Sequence, residues 1–420
     1  MKLTLLPSIQ RFIKPWLFLL CLLGYPVHAS LSLSDYGALP SVAMVAISPN
    51  GNLIAFRKVT KEQDAVYIIS IKEKKLMFAL DVSSIQPEGI YFFNDEQVFL
   101  RASKFTRVDG FIGKFDLSTA FVLNISDKKI RQLLIPGDKI LAGQTGLGTV
   151  VGVTPDGQYA LMPAYSPVDL HFPKPVYSLY RVSLKRKSVR SSEGGTYHTE
   201  DFFVNREGKA IAREEYNEKD NLHSILALHD GEWVEIFKET TPVKNKGFVG
   251  ITPDFKSLVM LSTDSNSGRT SYYTMSLADG TISGPLLGRD DADIEGVISD
   301  LQRVVYGVRY SGFTPSYKFF DSAIDKKMAE IIAQFPDQAV WLVDWTPDWN
   351  NVVVNVEGSD FPDDYFLFDK ENKYQYLTSG RPQFKPEDIN PIGRATYSAR
   401  DGLKIPTLLT IPRNKVGAIK

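Results

Sequence analysis

A repeated strand-turn-strand pattern constrains the fold of this chain more than any other feature. An apolar segment, a turn rich in Pro, Asp, Asn or Gly, and a second apolar segment recur along the 420 residues. The turns contain Asn50, Asp95, Asp156, Glu207, Asp254, Asp300 and Asp348. These positions are 45, 61, 51, 47, 46 and 48 residues apart. A period of about 40–50 residues is typical of the blades of a β-propeller.

The composition of the turns explains why they join neighbouring strands. Proline presets the first dihedral angle of a turn, and Asn or Asp followed by Gly tolerates the backbone of a tight hairpin. The first blade then adds an outer hairpin, residues 65–70 and 75–80, and the last blade adds residues 365–368 and 374–377. We therefore predict an all-β fold, a seven-bladed β-propeller domain over residues 41–385 with its blades between about residues 41 and 380.

Two segments depart from the repeat. The 61-residue step contains extra sequence with Gly143, Gly146 and Gly148, whose order does not fit a dinucleotide-binding loop. We interpret it as a connection between blades. Residues 321–335 have the periodicity of a helix, with Ile324, Met328, Ile331 and Phe335 on one face. We expect this helix to pack on the surface of the ring.

The first 29 residues have the pattern of an export signal. Lys2, Arg11 and Lys14 form a basic region, residues 16–25 are apolar, and Ala29 fits a cleavage site. The apolar run is shorter than the roughly 20 residues that span a bilayer, although an uncleaved anchor is the alternative. We predict a signal peptide over residues 1–29, a linker over residues 30–40, and a periplasmic or secreted mature protein without other membrane attachment.

Composition excludes several classes of function. The only cysteine, Cys21, lies in the signal segment, so the mature chain has no disulfide and no thiol nucleophile. Without Lys2, Arg11 and Lys14, the chain contains 45 Lys and Arg residues and 49 Asp and Glu residues. No basic stretch is interleaved with aromatic residues, so nucleic-acid binding is not supported.

Three segments carry a resemblance to a known family. They are the opening SLSDYGALPSVAMVAISPNGNLIAF, the seventh repeat VDWTPDWNNVVVNVEGSDFPDDYFLFD, and the later stretch ATYSARDGLKIPTLLTIP. Together they resemble exported bacterial members of the prolyl oligopeptidase family of serine peptidases, in the acylaminoacyl-peptidase and dipeptidyl-peptidase branch. The resemblance implies an N-terminal propeller that caps an α/β-hydrolase domain, whose catalytic Ser, Asp and His lie in the C-terminal part.

Residues 386–420 resemble the beginning of such a hydrolase domain. Residues 395–399 and 403–411 have the pattern of two strands joined at Arg400, Asp401 and Gly402. The chain contains no Gly-x-Ser-x-Gly elbow, the motif that carries the family's nucleophile. We therefore expect an incomplete hydrolase domain and no catalytic residue in this chain. We also expect the C-terminal segment to be weakly stabilised. Either a truncated gene or a fragment would explain both.

The four histidines of the mature chain, His171, His198, His223 and His229, have no partner motif for nucleophilic catalysis. His223 and His229 are six residues apart, so in one strand they lie on the same face. We interpret all four as ordinary strand and loop residues.

Metal and cofactor motifs are missing, and we expect neither group. The acidic stretches at residues 290–293 and 360–364 do not have the spacing of a calcium loop and are predicted to be solvated turns. Residues 213–216 read Arg-Glu-Glu-Tyr, and some dipeptidyl peptidases of the family grip the substrate amine with two propeller carboxylates. Here we interpret Glu214 and Glu215 as a solvated strand edge.

These observations favour a substrate-gating propeller portion of an exported serine peptidase acting on peptides, inactive by itself. The alternative is a stand-alone periplasmic propeller that binds a protein or peptide through its axial face. A propeller enzyme with a metal ion on the axis lacks the His and acidic residues that it needs. The sequence does not indicate the substrate-binding residues or the oligomeric state.

Overall fold

The computed structural model describes residues 31–108, 112–137, 139–167 and 174–415. The chain divides into two compact units, Met1–Leu39 and Pro40–Lys420. In the first unit the described residues form a single helical turn, α1 (Leu33–Tyr36), which begins with a capping box between Ser32 and Asp35. The predicted signal peptide lies outside the described residues.

The second unit contains eight antiparallel sheets, each built from consecutive strands, and seven of them are the blades of a ring. The first three blades consist of β1 (Val42–Ile47), β2 (Leu53–Val59), β3 (Asp64–Ser70) and β4 (Lys75–Asp81); β5 (Gln86–Asn94), β6 (Gln97–Thr106), β7 (Phe115–Asn124) and β8 (Lys129–Leu133); and β9 (Gly152–Val153), β10 (Tyr159–Tyr165), β11 (Tyr177–Ser183) and β12 (Val189–Glu193). The predicted turns at Asn50, Asp95 and Asp156 each join the first and second strands of these blades. Residues 143–148 lie between blades two and three, as predicted.

Blades four to seven follow the same plan except that blade six has three strands. They consist of β13 (Thr199–Val204), β14 (Ala210–Asn217), β15 (Leu222–His229) and β16 (Glu232–Thr240); β17 (Lys246–Ile251), β18 (Ser257–Thr263), β19 (Thr270–Ser276) and β20 (Ile282–Leu286); β21 (Ile294–Ser299), β22 (Val305–Tyr310) and β23 (Ser316–Phe319); and β24 (Ala339–Trp345), β25 (Val352–Glu357), β26 (Asp364–Phe368) and β27 (Tyr374–Ser379). The seven-bladed propeller is confirmed, and the outer hairpins of blades one and seven lie where they were predicted.

Every pair of neighbouring blades shares its own apolar cluster. A blade buries side chains on both faces of its sheet, so each face needs the next blade to cover it. Each cluster contains residues of both blades that it joins. In order around the ring, from the interface of blades one and two to that of blades seven and one, examples are Ile68 and Val98, Val122 and Met162, Leu161 and Phe202, Ile225 and Phe248, Val259 and Val308, Phe319 and Val354, and Leu367 and Val45. The ring is therefore held by seven side-chain interfaces.

The first and last blades meet without sharing a sheet. Val42, Val45 and Ile47 of β1 pack against Val353 and Leu367 of blade seven. Two hydrogen bonds link the same blades: Ile47 N donates to Asp344 Oδ2 at 2.8 Å, and Ser41 N donates to the Gly380 carbonyl at 2.6 Å. Packing and these few polar contacts close the ring.

The Ser/Thr-Pro-Asp/Asn turns share one hydrogen-bond pattern. In blade seven, Thr346 Oγ1 donates to Asp348 Oδ1 at 2.6 Å and accepts from Asn351 N at 3.0 Å. The same pair of contacts occurs at Ser48 and Asn50, Thr154 and Asp156, and Thr252 and Asp254. The hydroxyl hydrogen bond lowers the pKa of Asp156, Asp254 and Asp348. This local network gives the repeat its sequence signature.

The fourth residue of these turns has a left-handed backbone. Gly51 and Gly157 adopt φ of 73° and 62°, whereas Phe255 and Trp349 adopt 58° and 55° at the equivalent positions. Glycine reaches this region without steric cost. The two aromatic residues occupy it because their rings pack into clusters between blades.

The predicted helix is α2 (Ser322–Ile332), which follows β23 where other blades have a fourth strand. Asp321 caps it, because its carboxylate accepts from Ala323 N at 2.7 Å. Met328 and Ile331 are buried, and Ile324 and Phe335 belong to the same cluster between blades six and seven. The predicted apolar face and its packing against the ring are confirmed. No helix within the described ranges is long and apolar enough to cross a membrane.

A separate hairpin follows the ring. It consists of β28 (Ile392–Ser398) and β29 (Lys404–Thr410), flanked by short 3-10 turns at Pro386–Asp388 and Arg413–Lys415. Tyr397, Leu408 and Leu409 are about half exposed, at 55%, 49% and 48%. The two predicted strands are confirmed, and their place in a hydrolase domain stays a prediction.

Replacing Thr346 by Val should destabilise the protein by about 1–3 kcal/mol, because the variant leaves Asn351 N and Asp348 without the hydroxyl that pairs them. Val fits the same volume, so packing changes little. Urea unfolding measures the effect, with Thr240→Val at the exposed end of β16 as the control. Equal midpoints for the two variants would show that the turn network does not stabilise the blade.

Candidate functional site

A cavity of about 390 Å³ lies on the inner side of the ring. The first strands of neighbouring blades contact one another, β1 with β5 and with β24, so these strands surround the axis. Blades one, two, six and seven line the cavity, with Ile47, Tyr91, Gln302, Asp344 and Trp345 among its residues. It is therefore an axial cavity. It lies at the end of the ring where the first strand of each blade leads into the second strand.

Two carboxyl groups line this cavity, from Asp344 and Asp300. Asp344 Oδ2 accepts from Ile47 N, and its Oδ1 accepts from Trp345 N at 2.9 Å. Burial nevertheless raises the pKa of Asp344 to about 6. Burial also raises the pKa of Asp300, although Val304 N and the Tyr306 hydroxyl donate to it. Both groups can accept hydrogen bonds from a ligand that enters the cavity.

The turn after β21 contacts three other blades near the axis. Gln302 Nε2 donates to the Val153 carbonyl of blade three. Arg303 donates to Asp201 Oδ2 at 2.7 Å in blade four and to the Phe248 carbonyl at 3.4 Å in blade five. Gly152 permits this approach, because a Cβ there would lie 2.8 Å from Gln302 Oε1 and 2.5 Å from a methyl of Val204. The side chain of Gln302 thus crosses the axis at this end.

Arg303 pairs with a carboxylate two blades away in the ring. Burial raises the pKa of Asp201, and the nearby guanidinium of Arg303 only partly offsets that effect. Arg303 also stacks on the ring of Phe203, 4.4 Å from its centroid. The pair joins blades four and six through one side chain.

Sequence reasoning did not identify Asp344, Asp201, Gln302 or Arg303 as site residues. One signal was available for the two carboxylates. Both stand in strongly apolar first strands, in LVDW and TEDFFV, where a charge is unexpected unless it faces a cavity or a partner. No comparable signal existed for Gln302 and Arg303, because their partners are about 100–150 residues away in the sequence.

The interpretation of Glu214 and Glu215 as a solvated edge is wrong. Both lie in β14, an inner strand between β13 and β15, and Glu214 is only 6% exposed. Glu215 pairs with Arg213 at 2.9 Å, and Glu214 pairs with Lys244 at 2.9 Å. Both carboxylates therefore already have cationic partners within the ring.

Glu214 belongs to a buried charge cluster around His223. The imidazole Nε2 lies 2.9 Å from Glu214 Oε1, and Nδ1 lies 3.2 Å from Glu239 Oε1. Lys246 pairs with Glu239 at 2.5 Å. Burial opposes ionisation of Glu214, but hydrogen bonds from His223 and Lys244 outweigh it and keep its pKa below the ordinary range. The cluster fastens blade four to the start of blade five.

The described histidines have structural contacts. His223 and His229 lie in β15, whose pairing with β14 is regular, so they share a face as predicted. His229 Nε2 donates to the Leu277 carbonyl at 2.7 Å. His198 is exposed before β13, and His171 lies outside the described residues. No described histidine is within hydrogen-bond distance of a serine hydroxyl.

The acidic stretches are partly paired and partly buried. Asp291 pairs with Arg289 at 2.7 Å and Asp293 pairs with Arg269 at 2.9 Å. Asp363 is not solvated as predicted, because Asn355 Nδ2 donates to it at 2.5 Å in a buried position. Among the described residues, no group of three or more His, Cys, Asp or Glu side chains could hold a metal ion.

The fold and the axial site define a seven-bladed β-propeller whose first and last blades do not share a sheet. The sequence matches no protein-family profile and no curated protein sequence.

Several solved structures are similar to it. Prolyl oligopeptidase B from Galerina marginata matches 89% of this chain and 56% of its own, with a TM-score of 0.58 and 12% identity. A puromycin-hydrolyzing peptidase from Mycobacterium tuberculosis matches 89% of this chain and 59% of its own, with a TM-score of 0.55 and 12% identity.

The β-propeller domain of the Trilobed protease from Pyrococcus furiosus, which has an open velcro topology, matches 81% of this chain and 99% of its own, with a TM-score of 0.52 and 11% identity. This chain therefore spans a little over half of the two complete peptidases and nearly all of an isolated propeller domain. The resemblance to prolyl oligopeptidases is confirmed at the level of the fold.

Asp344→Asn should change how stability depends on pH. In the wild type the folded state holds the Asp344 proton up to about pH 6, whereas the unfolded state loses it near pH 4, so this group's contribution to stability falls as the pH rises. The stability of the variant relative to the wild type should increase by about 1 kcal/mol between roughly pH 5 and pH 8. Asp348→Asn is the control, because Asp348 stays ionised over that range. A pH-independent difference for Asp344→Asn would contradict the assignment.

Glu214→Ala should destabilise the protein by about 3 kcal/mol, because it leaves His223 and Lys244 without their shared carboxylate in a buried setting. Glu235→Ala, at a half-exposed ion pair with Lys238, should cost less than about 1 kcal/mol. Denaturant unfolding at neutral pH compares the two. Similar losses would mean that the cluster is no stronger than a surface ion pair.

Proposed function

We propose that this chain is the substrate-gating propeller portion of an exported serine peptidase of the prolyl oligopeptidase family, acting on peptides. The observation that carries the proposal is the similarity of its ring to structures of two peptidases, over 89% of this chain and a little over half of theirs. The three sequence segments that resemble the family support it independently.

The hairpin after the ring supports the same assignment. Its strands coincide with the segment that resembles the start of a hydrolase domain, and its side chains on both faces are largely exposed. An apolar two-stranded sheet is marginally stable by itself and gains stability when further strands cover its edges. A hydrolase sheet would cover them.

The axis supports a gating role. Gln302 crosses it, and the cavity beside that side chain is about 390 Å³, a volume that suits a short peptide segment and excludes a folded protein. The ring would then limit a peptidase to small substrates. Export is proposed from residues 1–29, which have the features of a cleaved signal peptide.

A stand-alone propeller that binds a peptide is the second candidate. The axial carboxyl groups of Asp344 and Asp300 favour it, because they can accept hydrogen bonds from a ligand without any contribution from another domain. In that case the function of the ring would be recognition, with no hydrolysis.

Purified protein of residues 30–420 should not react with a fluorophosphonate probe, because the reagent needs a serine activated by a positioned base. In-gel fluorescence measures labelling, and a known serine hydrolase in the same tube is the positive control. Stoichiometric labelling that disappears on substitution of one serine would overturn the proposal that the ring does not cut peptides.

The coding sequence distinguishes the two candidates. For a peptidase, translation in all frames beyond the codon for Lys420 should reveal a Gly-x-Ser-x-Gly elbow followed by an Asp and a His. The longer product should then hydrolyse short peptides and label with the probe. If no such elbow is encoded, the stand-alone binding candidate replaces the peptidase.

A further inference from the structure

A second cleft lies on the outside of the ring, between blades two and three. Its volume is about 520 Å³, and it is formed by β8, the segment after β8, and the turn between β11 and β12. Five of its lining residues are cationic: Arg131, Lys139, Arg186, Lys187 and Arg190. Among the described residues of the lining there is no carboxylate. We call these five residues the basic cleft.

This concentration of positive charge contrasts with the chain as a whole, whose net charge is −1. Elsewhere many arginines have carboxylate partners, as Arg57 with Asp64 and Arg269 with Asp293. Within the described residues none of the five cleft cations forms an ion pair. Two carboxylates, Glu96 and Asp127, line an adjoining pocket that shares Arg131, Arg186 and Lys187 with the cleft. Like charges held close together repel one another, so an anion bound in the cleft itself would lower the remaining repulsion.

Arg131, at the wall of the cleft, has one buried donor without a partner among the described residues. Its Nη2 donates to the Leu184 carbonyl, whereas its Nε is buried and has no hydrogen-bond partner among the described residues. Burial lowers the pKa of Arg131, and the negative charge of Asp127 only partly opposes this. Asp127 itself pairs with Lys129 at 3.4 Å. A buried, unpartnered guanidinium N–H indicates a site at which an acceptor is expected.

The turn that carries Arg186 and Lys187 is fixed by its own hydrogen bonds. Ser183 Oγ accepts from Lys185 N at 3.3 Å and from Arg186 N at 3.1 Å. On the opposite side, Lys139 Nζ donates to the Val189 carbonyl at 3.4 Å. The backbone of this turn is therefore organised before a ligand binds, which reduces the entropy lost on binding.

We propose that the basic cleft binds a compact ligand carrying two or more phosphate groups. Five cations match two or three phosphates, each of which carries about −1.5 to −2 charges near neutral pH. Arginine forks bind phosphate oxygens in pairs, and lysines supply point charges around them. No aromatic side chain is found among the described lining residues, and these residues therefore offer no stacking surface of the kind on which bases of a nucleic acid bind.

The phosphates could belong to a free polyphosphate compound or to a lipid headgroup, and two arms of one experiment separate these sources. Tripolyphosphate binding is measured by isothermal titration calorimetry at ~0.15 M ionic strength, where exposed single charges are largely screened. Sedimentation with phosphatidylcholine vesicles, with and without cardiolipin, tests the lipid. Both assays use the mature chain.

Charge reversal at Arg186→Glu together with Lys187→Glu should weaken binding by at least about tenfold, since it removes two attractions and adds two repulsions. Arg190→Gln, which changes one exposed cation, should weaken it roughly threefold. The control is Lys72→Glu with Lys75→Glu, which makes the same change of net charge at the equivalent outer turn of blade one and should alter binding by less than about twofold. Thermal unfolding confirms that each variant is folded.

Saturable tripolyphosphate binding that follows this order supports the proposal with a free phosphate compound as the source. Cardiolipin-dependent sedimentation that follows the same order supports it with a lipid headgroup as the source. The proposal is overturned if the wild type binds neither probe, or if the control variant loses binding as much as the cleft variant does.

Discussion

The whole structure depends on the burial of blade faces against neighbouring blades. Each blade has apolar residues on both faces of its sheet, and each of the seven interfaces contains its own cluster. At the junction of blades one and seven no strand is exchanged, so Val45, Val353 and their neighbours supply the attraction that a shared sheet would otherwise provide. Buried apolar area of this kind contributes about 25 cal/mol per Å².

Polar groups at the axis form directional hydrogen bonds between blades, whereas apolar packing is not directional. Arg303 joins blades four, five and six, Gln302 reaches blade three, and Asp344 accepts a hydrogen bond from blade one. Burying these groups costs desolvation energy, which their hydrogen bonds offset only in part, as the raised pKa values of Asp344 and Asp201 show. Such contacts fix the positions of the blades relative to one another. They also narrow the channel along the axis through which a ligand would enter.

The charges of the ring are segregated in a way that separates its two proposed binding sites. Carboxyl groups line the axial cavity, whereas the cleft between blades two and three is lined by cations. A peptide that donates hydrogen bonds suits the first site and a multiply charged anion suits the second. Occupancy of one site therefore need not compete with the other.

Local patterns in the sequence were sufficient for the seven repeats, the apolar face of α2 and the two strands of the hairpin. Each depends on residues within about a dozen positions, such as Thr346, Asp348 and Asn351, whose contacts are made inside one turn. Burial of Glu214 was misjudged, because its partners His223 and Lys244 stand on other strands. Arg131 and Arg186 likewise meet only when blades two and three pack side by side. Residues far apart in the chain become neighbours only when the ring closes, and their neighbours determine their charge state and chemistry. A repeat of local sequence pattern contains no information about these long-range contacts.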